Sequence, residues 1–247
     1  MIKITKRELA RLIDHTNLHA NATEMELKKL ALEANLYKFA SVCVYSADVP
    51  IVKKYLEETI PICAVIGFPH GKSTTPAKVR EALDAIKYGA REIDMVINQG
   101  KLIDGKYEEV VRDIREVAKV VHRYNGLLKV ICENCNLPTV EIKKLAYKAA
   151  HEAEADFIKT STGFGKYGAR IEDVKLMRET LDELGSNMGI KAAGGIHFAS
   201  REVARKHGKD EPGALDFLEA AGGYKDPLRF RIGASKGVQI VETLEED

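Results

Sequence analysis

The sequence predicts an α/β chain folded as a closed (β/α)8 TIM barrel, and three observations predict it. Eight short apolar runs of strand character recur along the chain. Segments of helical periodicity separate them. The length, 247 residues, matches the ~250 such a barrel typically needs, so residues 1–247 read as one barrel domain.

In order, the strand-like runs are Leu12–Thr16, Phe39–Tyr45, Ile62–Gly67, Glu92–Asn98, Leu127–Glu133, Ala155–Thr160, Gly189–Gly194 and Arg229–Gly233. An extra helix is expected at the N-terminus, and Asn21–Asn35 reads as a helix before the second strand. In Pro76–Tyr88, Val79, Ala82, Leu83 and Ile86 make one apolar face; Thr75 suits its cap, Pro76 its first turn and Gly89 its end. In Tyr107–Val121, Tyr107, Val110, Val111, Ile114, Val117, Ala118 and Val121 repeat at three and four residues. Ile142, Leu145, Ala146 and Ala149 do the same, as do Val174, Met177, Leu181 and Leu184. His207–Pro227 reads as a helix plus loop. An open doubly wound sheet is the other arrangement for such alternation, but no Gly-x-Gly-x-x-Gly turn follows an early strand.

Composition narrows function. Lys plus Arg total 38 and Asp plus Glu 37, a net charge of +1, which argues against nucleic acid or an anionic membrane as the partner. No segment approaches the ~20 apolar residues of a membrane span, and the N-terminus lacks a secretory h-region. The four cysteines, Cys43, Cys63, Cys132 and Cys135, are too sparse for a disulfide framework, so the expected setting is a reducing cytoplasm. Cys132 and Cys135 form a lone Cys-x-x-Cys without a second pair at zinc-ribbon spacing; two semi-buried thiols are the simpler reading.

The chemistry concentrates at strand ends, where barrels place catalytic groups. Phe157-Ile158-Lys159 delivers a lysine at the end of the sixth strand, and Lys191 falls near the end of the seventh. Adjacent strands lie ~4.8 Å apart, so both amines can face one cavity, and a neighbouring cation favours a neutral, nucleophilic amine. Spacing alone leaves open which lysine attacks. Asp94, inside the apolar strand Ile93–Asn98, needs a partner or a function; it can pair with a lysine and relay protons. Asp14, ending the first strand, can bind a substrate hydroxyl or hold a lysine, and His15 reads as a structural hydrogen-bonding residue. Gly194 and Gly195 after the seventh strand, and Gly233-Ala234-Ser235-Lys236 opening the last helix, suit a phosphate site, with Gly163 after the sixth contributing.

From about Leu12 to Lys236 these stretches resemble the deoxyribose-phosphate aldolases. The resemblance is carried by Ile13-Asp14-His15-Thr16, Ser41-Val42-Cys43-Val44, Val65-Ile66-Gly67-Phe68-Pro69-His70-Gly71, Glu92-Ile93-Asp94-Met95-Val96-Ile97-Asn98, Lys129-Val130-Ile131, Phe157-Ile158-Lys159-Thr160-Ser161-Thr162-Gly163, Lys191-Ala192-Ala193-Gly194-Gly195-Ile196 and Gly233-Ala234-Ser235. It implies a class I aldolase that reversibly cleaves 2-deoxyribose 5-phosphate to glyceraldehyde 3-phosphate and acetaldehyde, without metal or organic cofactor, as a homodimer or homotetramer. It implies Lys159 as the Schiff-base lysine, Lys191 as the residue lowering its pKa and Asp94 as the proton relay. Asp14 is implied as the binder of a substrate hydroxyl, Cys43 as a thiol near the site, and Thr162, Gly163, Gly194, Gly195, Gly233, Ala234, Ser235 and Lys236 as the substrate and phosphate contacts. Two departures stand out: His197-Phe198 where the family usually has Arg-Thr, and Lys236 where it usually has a second Ser. They keep open an aldolase with an altered or unphosphorylated acceptor, and, in another class, a barrel that only binds a phosphosugar.

Overall fold

The computed structural model describes residues 2–245. Eight strands close in chain order into one barrel: β1 (Ile13–Thr16), β2 (Ser41–Tyr45), β3 (Ile62–Ile66), β4 (Glu92–Val96), β5 (Leu127–Ile131), β6 (Phe157–Lys159), β7 (Gly189–Ala193) and β8 (Phe230–Ala234). Every neighbouring pair is parallel, and β8 closes on β1. β1 to β7 are shorter than the apolar runs that foretold them, while β8 keeps its length and is displaced by one residue. Gly233 and Ala234 end β8 instead of following it.

The long helices form where the periodicity places them: α2 (Glu24–Tyr37), α4 (Thr75–Tyr88), α6 (Tyr107–Arg123), α7 (Val140–Glu152) and α8 (Ile171–Glu183), with the expected N-terminal helix α1 (Lys6–Ala10). Thr23 and Glu26 close a reciprocal capping box on α2. On α4 the cap is Thr74, whose hydroxyl accepts from Ala77 N, not Thr75. Thr75 donates instead to Asp113 Oδ1 on α6 at 2.7 Å, so a tertiary bond claims the hydroxyl that spacing offered to the cap. Gly89, at φ 123°, ends α4 as expected. The short helices α3 (Val49–Lys53), α5 (Gln99–Ile103), α9 (Arg201–Lys206) and α11 (Gly237–Glu242) are too brief to show periodicity, and α10 (Ala214–Ala220) is the helix of the long charged connection. No helix among the described residues is long and apolar enough to cross a membrane.

Alternate residues of each strand face opposite sides, and the two sides differ in kind. Outward residues such as Val42, Val44, Ala64, Ile93, Met95, Leu128, Val130, Ile158, Ile190 and Ile232 merge with the helices into one large apolar core. Inward, a small cluster of Cys43, Cys63, Val65 and Leu18 lines one side of the lumen. Elsewhere the lumen carries a layer of charged side chains, with Phe157 against Arg231 among its apolar residues.

Candidate active site

Register builds the charged layer. Asp94 on β4 is the partner of Lys129 on β5, and Lys159 on β6 is the partner of Lys191 on β7, which is in turn the partner of Arg231 on β8. Asp14 on β1 and Glu92, two residues before Asp94, complete the layer. All seven side chains are buried.

Asp94 is the hub. Its Oδ2 accepts from Lys159 Nζ at 2.7 Å and Lys191 Nζ at 2.8 Å; its Oδ1 accepts from Lys129 Nζ at 2.9 Å and the Cys63 thiol at 3.0 Å. Burial alone would raise its carboxyl, but the ammoniums of Lys129, Lys159 and Lys191 hold it well below the usual carboxylate range. Burial likewise disfavours charged Lys191, yet Asp14 and Asp94 outweigh it and hold its ammonium above the ordinary lysine value. Lys191 is thus a fixed cation beside Lys159. Beneath them, Arg231 donates to Asp14 Oδ1 at 2.5 Å and Glu92 Oε1 at 3.0 Å, and Lys129 donates to Glu92 Oε2 at 2.6 Å.

Charge counting separates the lysines. Lys129, Lys159, Lys191 and Arg231 face Asp14, Glu92 and Asp94, so with every group ionised the layer holds four cations against three anions. An unbalanced buried charge is costly, and loss of one lysine proton removes it. Lys129 has three carboxylates within 4 Å and Lys191 two, whereas Lys159 has Asp94 alone, on an oxygen it shares with Lys191.

Lys159 is also the lysine that reaches a cavity. A space of about 270 Å³ opens at the C-terminal ends of the strands, walled by Lys159, Thr16, Leu18, His19, Thr162, Gly163, Phe164, Gly194, Gly195, His197, Gly233, Ala234 and Ser235. A larger cavity, about 560 Å³, lies between the N-terminal segment and α9–α10, but no nucleophile and base converge there, so volume does not choose the site. Gly163, Gly194 and Gly195 turn at φ 89°, 89° and 76°, a region that side chains disfavour. Gly168 packs directly on Gly194, locking the loop after β6 to the loop after β7; Ala169 N donates to Gly194 O at 3.0 Å. Glu133, buried past β5, accepts from the Thr162 backbone at 3.2 Å and from its hydroxyl, which fixes the start of the β6 loop.

The structure brings Lys159, Lys191 and Asp94 into one hydrogen-bonded unit. Thr162, Gly163, Gly194, Gly195, Gly233, Ala234 and Ser235 all line the cavity over it. Three expected contacts lie elsewhere. Asp14 is fully buried and absent from the cavity wall; Lys191 and Arg231 engage it, with Lys191 Nζ 2.5 Å from Oδ2, so it holds a lysine, one of the two roles its strand position allowed. Cys43 is likewise buried, in register beside Cys63 and outside the cavity wall. Lys236 is exposed at the start of α11 and is not part of the wall either. His197 does line the cavity, its Nδ1 2.8 Å from Glu211 Oε1. Gly233 has a packing reason as well: a Cβ there would lie 2.9 Å from Lys191 Cε.

Lys129, Glu92, Arg231 and Cys63 were not singled out from the sequence. The signal was present as charges at alternate positions of apolar strands, Glu92-x-Asp94 above all, which marks an inward face that is not apolar. Cys132 is buried and Cys135 half-buried, and neither joins a metal-ligating group among the described residues. Cys43, Cys63 and Asp94 do lie close enough to share an ion, but three lysine ammoniums surround the same carboxylate and repel a cation.

Comparison with known proteins agrees with this geometry. A family model described as DeoC/LacD family aldolase matches residues 9–237. A protein of Aciduliprofundum boonei named deoxyribose-phosphate aldolase is 48% identical over 240 residues, 97% of this chain and 98% of its own. A crystal structure of a putative deoxyribose-phosphate aldolase from Coccidioides immitis superposes with a TM-score of 0.84 at 35% identity, over 98% of this chain and 87% of that one. A structure from Aeropyrum pernix, described as a unique tetrameric deoxyribose phosphate aldolase, has a TM-score of 0.76 at 28% identity, over 96% and 91%.

Proposed function

The chain belongs to the DeoC/LacD aldolase family, and from that premise we propose that it cleaves 2-deoxyribose 5-phosphate reversibly to glyceraldehyde 3-phosphate and acetaldehyde through a Schiff base on Lys159. One observation carries the assignment of the lysine: of the three on Asp94, Lys159 lines the cavity and has the fewest carboxylates around it. Neutral, its amine adds to the open-chain C1 aldehyde, and loss of water gives an iminium. The C3 hydroxyl gives up its proton as the C2–C3 bond breaks. The electron pair passes into the iminium, leaving an enamine on Lys159 and releasing glyceraldehyde 3-phosphate. Protonation at C2 and hydrolysis return acetaldehyde and the free amine. Asp94 faces Lys159 Nζ as a fixed anion, which favours the cationic iminium, and with a water it moves protons during carbinolamine formation and loss. Lys191 remains the held cation that disfavours a second ammonium beside it.

The glycine loops after β6 and β7, with the end of β8, offer backbone donors to the phosphate, and His197 stands in the same wall. The same reading includes a cytoplasmic homodimer or homotetramer. The test is borohydride reduction with deoxyribose 5-phosphate, mapped by mass spectrometry, with unphosphorylated deoxyribose in parallel. An adduct on Lys159 that is much stronger with the phosphate is expected. Equal labelling by both sugars would overturn the phosphate requirement and favour the altered acceptor; labelling of neither would overturn the Schiff base.

A further inference from the structure

A second concavity opens at the opposite, N-terminal end of the barrel. It measures about 350 Å³, and Arg7, Arg11, Lys38 and Arg231 all contribute to its wall, with Thr59 beside them. Arg7 on α1 and Arg11, the helical-conformation residue that caps its C-terminus, are four residues apart, which puts both on one face. Neither has an acidic partner among the described residues. Lys38 is paired with Glu57 at 2.5 Å, and Arg231 with Asp14 and Glu92.

This arrangement is hard to read as a stability device. The N-terminal face of a barrel ordinarily serves packing. Like charges facing one concavity repel and add nothing to packing, and unpaired guanidiniums are planar forks suited to a phosphate or carboxylate. The buried Arg231 at the inner wall is held by Asp14 and Glu92, so the uncompensated charge of the cavity is that of Arg7 and Arg11. Carboxylates in the wall would oppose this, and the wall holds none.

We propose that this basal cavity binds a small compact polyanion of the diphosphate class, gripped by Arg7 and Arg11 with Lys38 and Thr59 assisting. The site is separate from the catalytic mouth: the two cavities share no wall residue. The proposal does not depend on the Schiff-base reading.

The experiment is isothermal titration of the full-length protein with inorganic pyrophosphate at low ionic strength. Wild type is compared with the Arg7→Ser/Arg11→Ser double variant and with Arg7→Lys/Arg11→Lys. Losing two charge-assisted contacts should weaken the basal site roughly tenfold or more, and the lysine pair, which keeps charge but not the fork, should fall between. Retained aldolase turnover in the serine variant shows that it is folded; should it fail to fold, the lysine variant's weakening against wild type decides. Replacing pyrophosphate by ADP separates the sources: equal affinity indicates the free anion, and severalfold tighter binding a nucleotide. Identical titrations of wild type and both variants, or no binding to wild type, would overturn the proposal.

Discussion

The two faces of the same eight strands obey opposite rules. Outward, Ile93, Met95, Leu128, Val130, Ile158 and Ile190 bury against helices with no polar atom to satisfy. Inward, one residue away, Asp94, Lys129, Lys159 and Lys191 are as deeply buried and entirely ionisable. The outer face generates stability, since burying a large aliphatic side chain contributes about 1.5–3 kcal/mol. The inner face generates little, since desolvating ions costs about what their attraction returns. It instead concentrates positive charge around one carboxylate. The barrel therefore separates the task of folding from the task of chemistry by a period of two residues.

The sharpest way to break this division is Lys159→Met. On the inner face it should abolish aldol cleavage, a loss on the order of 10⁴-fold or more, because the nucleophile is gone. Stability should change by less than about 1 kcal/mol or improve, since Lys159 has one carboxylate partner and the layer without it holds three cations against three anions, as it does with the Lys159 amine neutral. Turnover and urea midpoint are measured on the same preparation. A variant that unfolds would mean that the fourth cation is structural, and the division between the faces would fail.

The converse is Ile114→Ala on α6, a fully buried residue of the helix layer. Truncation should cost about 2–5 kcal/mol of stability while the folded fraction keeps its kcat/KM within about twofold. A large fall in kcat/KM at full folding would show that the outer layer tunes the site through the strands.

The difference between the faces also decides what could be read from the sequence. The outer face repeats apolar residues at periods that any window detects, so the strands, α4, α6, α7 and α8 were legible, with ends displaced by a residue or two. Lys159, Lys191 and Asp94 were legible because charge inside an apolar run demands a reason. Lys129 and Arg231 carry the same signal, but only closure of the ring brings them to Asp94, Glu92 and Asp14. Asp14 stayed open between a substrate hydroxyl and a lysine for the same reason: ending a strand does not reveal which neighbours stand beside its oxygens. Lys236 shows another limit, since a residue beside a lining loop can still sit outside the cavity wall. The grip of Glu133 on Thr162 spans 29 residues and leaves no local trace.

His15 is the exception that sharpens the comparison, a titratable ring of β1 set on the outer, apolar side. Its ring packs tilted against Phe39 with centroids 4.7 Å apart, and its Nε2 lies 2.8 Å from Glu33 Oε2 on α2. Burial pushes its imidazole below the ordinary value, and Glu33 opposes this without overcoming it. The inner face does the reverse, since there the neighbouring ions overcome burial. The sign follows from proton counts. Below the ordinary histidine value near ~6.5, the unfolded chain takes up a proton that folded His15 refuses. Its contribution to stability is therefore intact above that pH and declines as pH falls through it. In His15→Gln the urea midpoint should fall less steeply than in wild type between about pH 7 and pH 5, the smallest of these effects, with turnover at neutral pH unchanged. Parallel slopes in the two proteins would show that His15 takes up its proton as readily folded as unfolded. Polar groups on the outer face would then be satisfied as fully as those within the ring.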